Sequence, residues 1–194
     1  MTALSEWLQR VSTGRVALIV LIAFVLFVAL VLPAQPRIES AGEAGATEAR
    51  SPDLSLWYSP DELYEMADVY GPEGRAAYVR QRVTFDVVWP LVYAAFLGIT
   101  LSWVFGQLSL AARIWRHVNL LPVAAALFDY LENACTTVVM LRYPARTPVV
   151  DLLAPLMTVT KWALLASSFL LLLLGLVLVV REKLRARQRA PHQG

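Results

Sequence analysis

Four long apolar stretches dominate the chain and cover residues 16–32, 83–105, 120–141 and 152–180. The hydrocarbon core of a bilayer is about 30 Å thick, and a helix needs about 20 apolar residues to cross it. Hydrocarbon offers the backbone no hydrogen-bond partners, and none of the stretches alternates as a barrel strand would, so each is expected to cross as a helix. The pattern therefore predicts an all-α fold, a four-helix transmembrane bundle.

The segment between the first two stretches has two parts with different patterns. Residues 34–53 are rich in Ala, Gly, Glu and Pro and are expected to form a flexible linker. Ser59-Pro60-Asp61-Glu62 then has the signature of a capping box with proline at the first helical position. The apolar residues that follow are spaced i, i+3, i+4 and i+7, as on one helical face: Leu63, Met66, Ala67 and Tyr70. A short amphipathic helix is thus predicted near residues 60–70, as a lid on the bundle or a gate over a site.

Arginine and lysine positions predict the orientation, because these residues are enriched in cytoplasmic loops. Nine of them lie on one side of the predicted membrane, and seven lie on the other side together with ten acidic residues. Both termini are therefore expected in the cytoplasm. The predicted order is a cytoplasmic N-terminus (1–15), a first transmembrane helix (16–33), an extracytoplasmic loop (34–82), the second to fourth transmembrane helices (83–180) and a basic cytoplasmic tail (181–194).

The first apolar stretch has a second interpretation, as a signal peptide. Arg10 and Arg15 precede it, and Ala34 after it would suit a cleavage site. Its 17 apolar residues exceed the usual 7–15 of a signal-peptide core, so an uncleaved membrane anchor is the preferred interpretation.

The amino-acid composition argues against several classes of function. Of the 194 residues, 58% are hydrophobic and 16% are charged, against about 25% charged in a typical soluble domain, so the lipid bilayer is the expected partner. A net charge of +2 argues against nucleic-acid binding. The single cysteine, Cys135, and two distant histidines offer no disulfide, cysteine zinc site or paired haem ligands. No metal and no cofactor are predicted.

Ionisable residues inside the apolar stretches are the strongest functional signal. A charge at mid-bilayer costs at least about 2.5–3.5 kcal/mol, so such side chains normally face the bundle and find partners. In the third stretch, four polar side chains share one helical face: Asp129, Glu132, Asn133 and Thr136. Asp86 and Tyr93 share a face in the second stretch, and Thr158 and Lys161 share one in the fourth. At about 1.5 Å of rise per residue, these groups are expected to meet in the outer half of the membrane.

Lys161 is expected to be the one cation available to the three acids, so at least one acid is expected to keep its proton. From their depths, Lys161 is predicted to contact Glu132. The cluster could be a network that only fixes the helices, a site for a small amphipathic ligand or a partner membrane subunit, or an intramembrane enzyme of the isomerase or hydrolase type. Asp129 and Glu132 are the catalytic candidates, as acid–base groups. The predicted ligand-binding residues are Asp86, Tyr93, Asp129, Glu132, Asn133, Thr136 and Lys161.

Several short motifs occur in order within residues 58–165: Gly71-Pro72-Glu73-Gly74-Arg75 with Tyr78, Asp86 with Pro90 and Tyr93, Phe128-Asp129-Tyr130-Leu131-Glu132-Asn133, Tyr143-Pro144, and Lys161. In this combination the chain resembles a family of bacterial four-span integral membrane proteins. The resemblance implies a multi-pass protein of the bacterial inner (plasma) membrane and implies no particular activity. The layout is also similar to EXPERA-type sterol isomerase and binding proteins, in architecture only.

Overall fold

The computed structural model describes residues 2–35, 51–52, 55–108 and 113–189. Within these ranges all regular structure is helical, which confirms the all-α prediction. The described α-helices are α1 (Thr2–Val11), α2 (Gly14–Leu26), α3 (Pro60–Val83), α4 (Phe85–Gly106), α5 (Leu121–Arg142) and α6 (Val150–Arg189). A π-helical turn, Phe27–Val31, extends α2, and a 3-10 helix, Arg113–Leu120, leads into α5. Most of the predicted linker, residues 36–50 and 53–54, lies outside the described residues.

Three helical stretches are long and apolar enough to cross a membrane: Gly14–Val31, Pro60–Gly106 and Val150–Gln188. The second of these joins α3 and α4. The helix α5 has 22 residues but carries two carboxyl groups and an amide, and it is not among the three. A crossing by α5, and with it the total of four, stays a prediction, as do the sides on which the loops and termini lie.

The helix α3 begins where the sequence has its capping box. The Ser59 hydroxyl accepts a hydrogen bond from the Glu62 amide at 3.2 Å, and the Glu62 carboxylate accepts one from the Ser59 amide at 2.7 Å. The apolar face of its first half is buried: Leu63, Met66, Ala67 and Tyr70. This face packs against Val139 of α5 and Ala154 of α6, so α3 lies directly on the two helices that carry most of the polar residues.

A kink at Gly71 divides α3, and the helix then continues. The backbone φ of Gly71 is 62°, in the left-handed region that glycine adopts without strain. The non-helical backbone at Gly71 separates two helical segments, and the second segment continues to Val83, with only Thr84 between it and α4. The second half of α3 therefore leads straight into the next helix.

The first eleven residues, which the sequence pattern left as an N-terminal segment, contain the helix α1. Ser5 and Leu8 of this helix are buried. The Ser5 hydroxyl donates to Oδ1 of Asn119 at 2.8 Å, and Nδ2 of Asn119 donates to the Ser102 hydroxyl at 2.8 Å and to the Ser5 carbonyl at 3.1 Å. We call Ser5, Ser102 and Asn119 the uncharged cluster. It joins α1, α4 and the 3-10 helix.

Close apolar packing joins α4 to α6. Leu97, Leu101 and Val104 of α4 have no exposed surface, and Val104 packs near Gly175 of α6. A β-carbon on Gly175 would lie 2.7 Å from Cγ1 of Val104, so the two backbones approach more closely here than any larger residue would permit. The helix α6 continues to Arg189, so the first nine residues of the predicted basic tail are helical.

Candidate functional site

Five ionisable side chains lie buried together among α3, α4, α5 and α6, and we call them the charged cluster: Arg82, Asp86, Asp129, Glu132 and Lys161. None of the five has an exposed fraction above 7%. Four of them are predicted ligand-binding residues, and the structure brings these four together. The fifth, Arg82, was not predicted.

Lys161 connects α6 to α5 through two carboxylates. Its Nζ lies 2.5 Å from Oε2 of Glu132 and 3.5 Å from Oδ1 of Asp129. Asp129 and Glu132 are three residues apart on one helical face, so a single ammonium group can reach both. The predicted contact of Lys161 with Glu132 is confirmed.

The expectation that Lys161 is the one cation available to the three acids is wrong. Nη1 of Arg82 lies 3.0 Å from Oδ2 of Asp86 and donates a hydrogen bond at 3.1 Å to Oδ1 of Asn133. The physical reason is the continuation of α3: because Thr84 alone separates it from α4, Arg82 and Asp86 are spaced like neighbours on one helix. The Arg82 guanidinium also lies over the ring of Tyr78, 4.4 Å from its centroid.

Besides its contact with Lys161, Asp129 accepts hydrogen bonds from two neutral side chains. The Tyr93 hydroxyl donates to its Oδ2 at 3.0 Å, and Nδ2 of Asn133 donates to its Oδ1 at 3.3 Å. Since the same Asn133 amide group accepts from Arg82, one side chain links both halves of the cluster. Six of the seven predicted ligand-binding residues thus form one network: Asp86, Tyr93, Asp129, Glu132, Asn133 and Lys161.

Glu132 has further contacts that the sequence did not predict. Oγ1 of Thr158 lies 2.7 Å from Oε1 of Glu132 and 3.1 Å from the hydroxyl of Tyr58, which has no exposed surface. Tyr58 directly precedes the N-cap Ser59, a position whose side chain often packs against the fourth helical residue, here Leu63. That rule could have indicated burial of Tyr58, but no spacing rule relates it to Thr158, 100 residues later.

Thr136 is buried but does not join the network. Its Oγ1 lies 3.0 Å from the carbonyl oxygen of Glu132 and 3.3 Å from that of Asn133. A threonine inside a helix commonly bonds to its own backbone in this way. The Thr136 hydroxyl therefore serves α5 itself and not the charged cluster.

Polar contacts fasten α3 to the connection between α5 and α6. The Tyr143 hydroxyl donates to Asp68 at 2.5 Å, and Nη1 of Arg146 lies 2.5 Å from Oδ1 of Asp61. The hydrogen bond to Asp68 raises the pKa of the Tyr143 phenol, and the bond to Asp61 raises the pKa of the Arg146 guanidinium. These contacts join the exposed face of α3 to the connection between α5 and α6.

A row of aromatic side chains leads to Asp129 along the seam between α2 and α4. Phe27 stacks on Phe85 and Trp89, with ring centroids 5.9 and 5.8 Å apart. Trp89 meets Tyr93 edge-on at 5.7 Å, and the Tyr93 hydroxyl reaches Asp129. Phe27 begins the π-helical turn of α2, a distortion that frequently accompanies functional sites.

The charged cluster combines groups that can hold a positive charge or exchange protons. Among the described residues, it holds three carboxyl groups and two cations, and Lys161 is shared between Asp129 and Glu132. In the described ranges, no group of three or more His, Cys, Asp or Glu side chains is arranged to hold a metal ion. The side chains of the cluster can form ion pairs and hydrogen bonds and can exchange protons.

Comparisons with known proteins assign neither a family nor an activity. No protein-family model, curated protein or solved structure matches the chain. The resemblance to bacterial four-span membrane proteins stays a prediction, and any functional interpretation depends on the charged cluster.

Proposed function

We propose that the chain is a four-span protein of the bacterial inner membrane whose charged cluster binds the polar group of a small amphipathic ligand. In this proposal α2, α4, α5 and α6 cross the membrane, both termini are cytoplasmic, and α3 covers the outer end of the bundle. The apolar part of the ligand lies along the aromatic row and the neighbouring lipid.

One observation carries the proposal: five ionisable side chains form two ion-paired groups that Asn133 links between the helices, and none of the five is more than 7% exposed. Stability alone does not require such groups, because replacing a buried ion pair by apolar residues of similar volume is often neutral or stabilising. Inside a membrane, ionisable residues are rare and mark ligand sites and proton pathways. The cluster is therefore expected to do more than hold helices together.

The balance of charge indicates the kind of polar group. The described cluster has three carboxyl groups for two cations, and buried charges favour pairing. An excess of acidic groups among the described residues favours a ligand with a positively charged group over one with a negatively charged group. The aromatic row beside Asp129 supports the same choice, because the faces of Trp and Tyr attract cations. An amphipathic amine is the preferred ligand class.

A second candidate function is an intramembrane enzyme of the isomerase or hydrolase type. The observation that favours it is the position of the Lys161 ammonium, within 3.5 Å of two carboxylates, one of which accepts the Tyr93 hydroxyl. Carboxylates, lysine and tyrosine are groups that give and take protons in acid–base catalysis. Asp129 and Glu132 would be the acid–base residues.

Three probes with one chain length test the binding proposal: decylamine, decanol and decanoate. Each is added to the full-length protein in a maltoside detergent below its own aggregation threshold, and thermal unfolding is followed by tryptophan fluorescence. A ligand that binds only the folded state raises the unfolding midpoint as its concentration rises. Decylamine is expected to raise the midpoint more than decanol or decanoate.

Two matched variants locate the effect. Asp129→Asn removes a carboxylate inside the cluster and keeps its shape, so it should abolish the shift with decylamine. Asp61→Asn removes a carboxylate from a side chain that is 75% exposed, and it should leave the shift unchanged. A shift that survives Asp129→Asn, or the absence of any shift with all three probes, would contradict the proposal. Chemical conversion of a bound amphiphile, detected by mass spectrometry, would favour the enzyme instead.

A further inference from the structure

The helix α1 has one face docked on the bundle and a second apolar face that is exposed. Ser5 and Leu8 are buried, whereas Leu4 and Trp7 are 43% and 53% exposed. Residues three apart are neighbours on a helix, so Leu4 and Trp7 form one patch. The hydrogen bonds between Ser5 and Asn119 fix which face is docked, so the patch stays on the outside.

Contacts between helix ends locate this patch. Gly14, three residues after α1, begins α2, and a β-carbon there would lie 3.3 Å from the indole nitrogen of Trp103, close to the end of α4 at Gly106. Nζ of Lys183 in α6 donates to Gln107 at 3.2 Å, directly after the same end of α4. The patch, the start of the first apolar helix and the basic end of α6 therefore share one end of the molecule.

Exposed cations outnumber the exposed acids, Glu6 and Glu182, at this end. Arg10 on α1 and Arg15 at the start of α2 are both exposed. The exposed surface of α6 near this end combines apolar side chains with two arginines: Leu176, Val177, Val180, Arg181, Leu184 and Arg185. Tryptophan, apolar side chains and arginine occur together where a protein meets the headgroups and upper acyl chains of an anionic leaflet.

We propose that α1 is an interfacial helix that inserts Leu4 and Trp7 into an anionic lipid leaflet, with Arg10 and Arg15 at its headgroups. The complementary charge of the headgroups selects this occupant. A second copy of the chain is disfavoured, because it would bring the same cations together around the patch. This inference is independent of the ligand proposed for the charged cluster.

The test uses the full-length chain in vesicles of phosphatidylglycerol or phosphatidylcholine that contain lipid brominated high on the acyl chain, which quenches nearby tryptophan. The difference between wild type and Trp7→Phe gives the fluorescence of Trp7. In phosphatidylglycerol this component is expected to be quenched about twofold more than in phosphatidylcholine, because cations near an anionic surface strengthen contact with it. The vesicle leaflets have the same composition, so the result does not depend on the orientation of insertion.

Two charge variants separate a local site from general attraction. Arg10→Gln with Arg15→Gln should remove the preference of the Trp7 component for phosphatidylglycerol. Arg80→Gln with Arg142→Gln removes two other exposed cations, from the ends of α3 and α5, and should leave the preference unchanged. Equal effects of the two pairs would overturn the assignment to α1. Quenching of Trp7 by aqueous acrylamide and not by brominated lipid would place the patch in water. Protection from both quenchers would place the patch against another protein surface. Either result would overturn the proposal.

Discussion

The charged cluster and the uncharged cluster join helices by different means. The uncharged cluster uses one amide and two hydroxyls, with hydrogen bonds of 2.8, 2.8 and 3.1 Å, and Asn119 at its centre is 1% exposed. The charged cluster is buried to the same degree but uses five ionisable groups. Neutral side chains are thus sufficient to join α1, α4 and the 3-10 helix in the buried interior of this molecule. The charges of the other cluster need a different explanation, and ligand binding supplies one.

An apolar layer separates the two clusters. Along α4, Tyr93 belongs to the charged network and Ser102 to the uncharged cluster, and Leu97 and Leu101 between them have no exposed surface. A hydrated path through this layer would expose its side chains to water at a cost in hydrophobic free energy. The layer therefore favours a binding site that a ligand reaches from one side of the bundle. It does not favour a hydrated path that runs through the whole bundle.

The largest effect is expected from Lys161→Met, which leaves two buried carboxylates without their shared ammonium. Removing one partner of a buried ion pair costs about 3–5 kcal/mol of the free energy of unfolding, because the other charge stays buried. Adding Glu132→Gln should recover part of this loss. The free energy of unfolding is measured in detergent for three variants: Lys161→Met, Glu132→Gln and the double variant. A double variant as unstable as the sum of the singles would show that the pair is not coupled.

Gly175→Ala tests the close packing between α4 and α6, on which the end with the uncharged cluster depends. The new β-carbon would lie 2.7 Å from Cγ1 of Val104 and 3.0 Å from Cε2 of Phe105, so these side chains or the helices that carry them must shift. Overpacking of this kind costs about 1–3 kcal/mol of the free energy of unfolding. Gly106→Ala is the matched control, since no atom lies within 4 Å of its new β-carbon. Equal losses from both variants would mean that backbone effects, and not packing, determine the result.

The spacing of polar residues predicted the centre of the charged cluster, and the helix pattern predicted the all-α fold. Lys161 and Glu132 were paired correctly because helical rise converts sequence position into depth, and depth restricts partners. Arg82 was missed because it lies in a polar segment, where a cation is unremarkable in sequence. Its spacing of four from Asp86 was the available signal, but that signal requires a helix-like turn across Thr84, where the polar loop meets the second apolar stretch.

The helix α1 was missed for a different physical reason. Leu4, Trp7, Leu8 and Val11 have the helical spacing i, i+3, i+4 and i+7, which was the available signal. A ten-residue helix is marginal in isolation, however, and depends on tertiary contacts that a local pattern does not contain. The contact of Ser5 with Asn119 spans 114 residues and is of this kind.

Ser5→Ala tests the uncharged cluster and is expected to cost about 1 kcal/mol of the free energy of unfolding, the usual contribution of a neutral hydrogen bond. It removes the hydroxyl that donates to Oδ1 of Asn119, whereas Asn119 keeps its own bond to Ser102. Ser12→Ala is the control, because Ser12 directly follows α1 and its hydroxyl donates to the carbonyl of Leu8, four residues earlier. A loss from Ser5→Ala as large as that from Lys161→Met would erase the energetic difference between the two clusters.

The smallest effect is expected from Arg146→Gln, which breaks an ion pair as short as that of Lys161. The Arg146–Asp61 and Lys161–Glu132 contacts are both 2.5 Å long, but the side chains of the first are 58% and 75% exposed and those of the second 5% and 0%. Exposed pairs contribute little and are screened by salt, whereas buried pairs are screened much less. Any loss of stability from Arg146→Gln should therefore vanish between about 0.1 M and 1 M salt, where the screening length falls from about 10 Å to 3 Å. The loss from Lys161→Met should not change over the same range. If it shrinks in parallel, water and ions reach the charged cluster in the folded protein, and the site must be regarded as an open cavity and not as a closed network that a ligand has to enter.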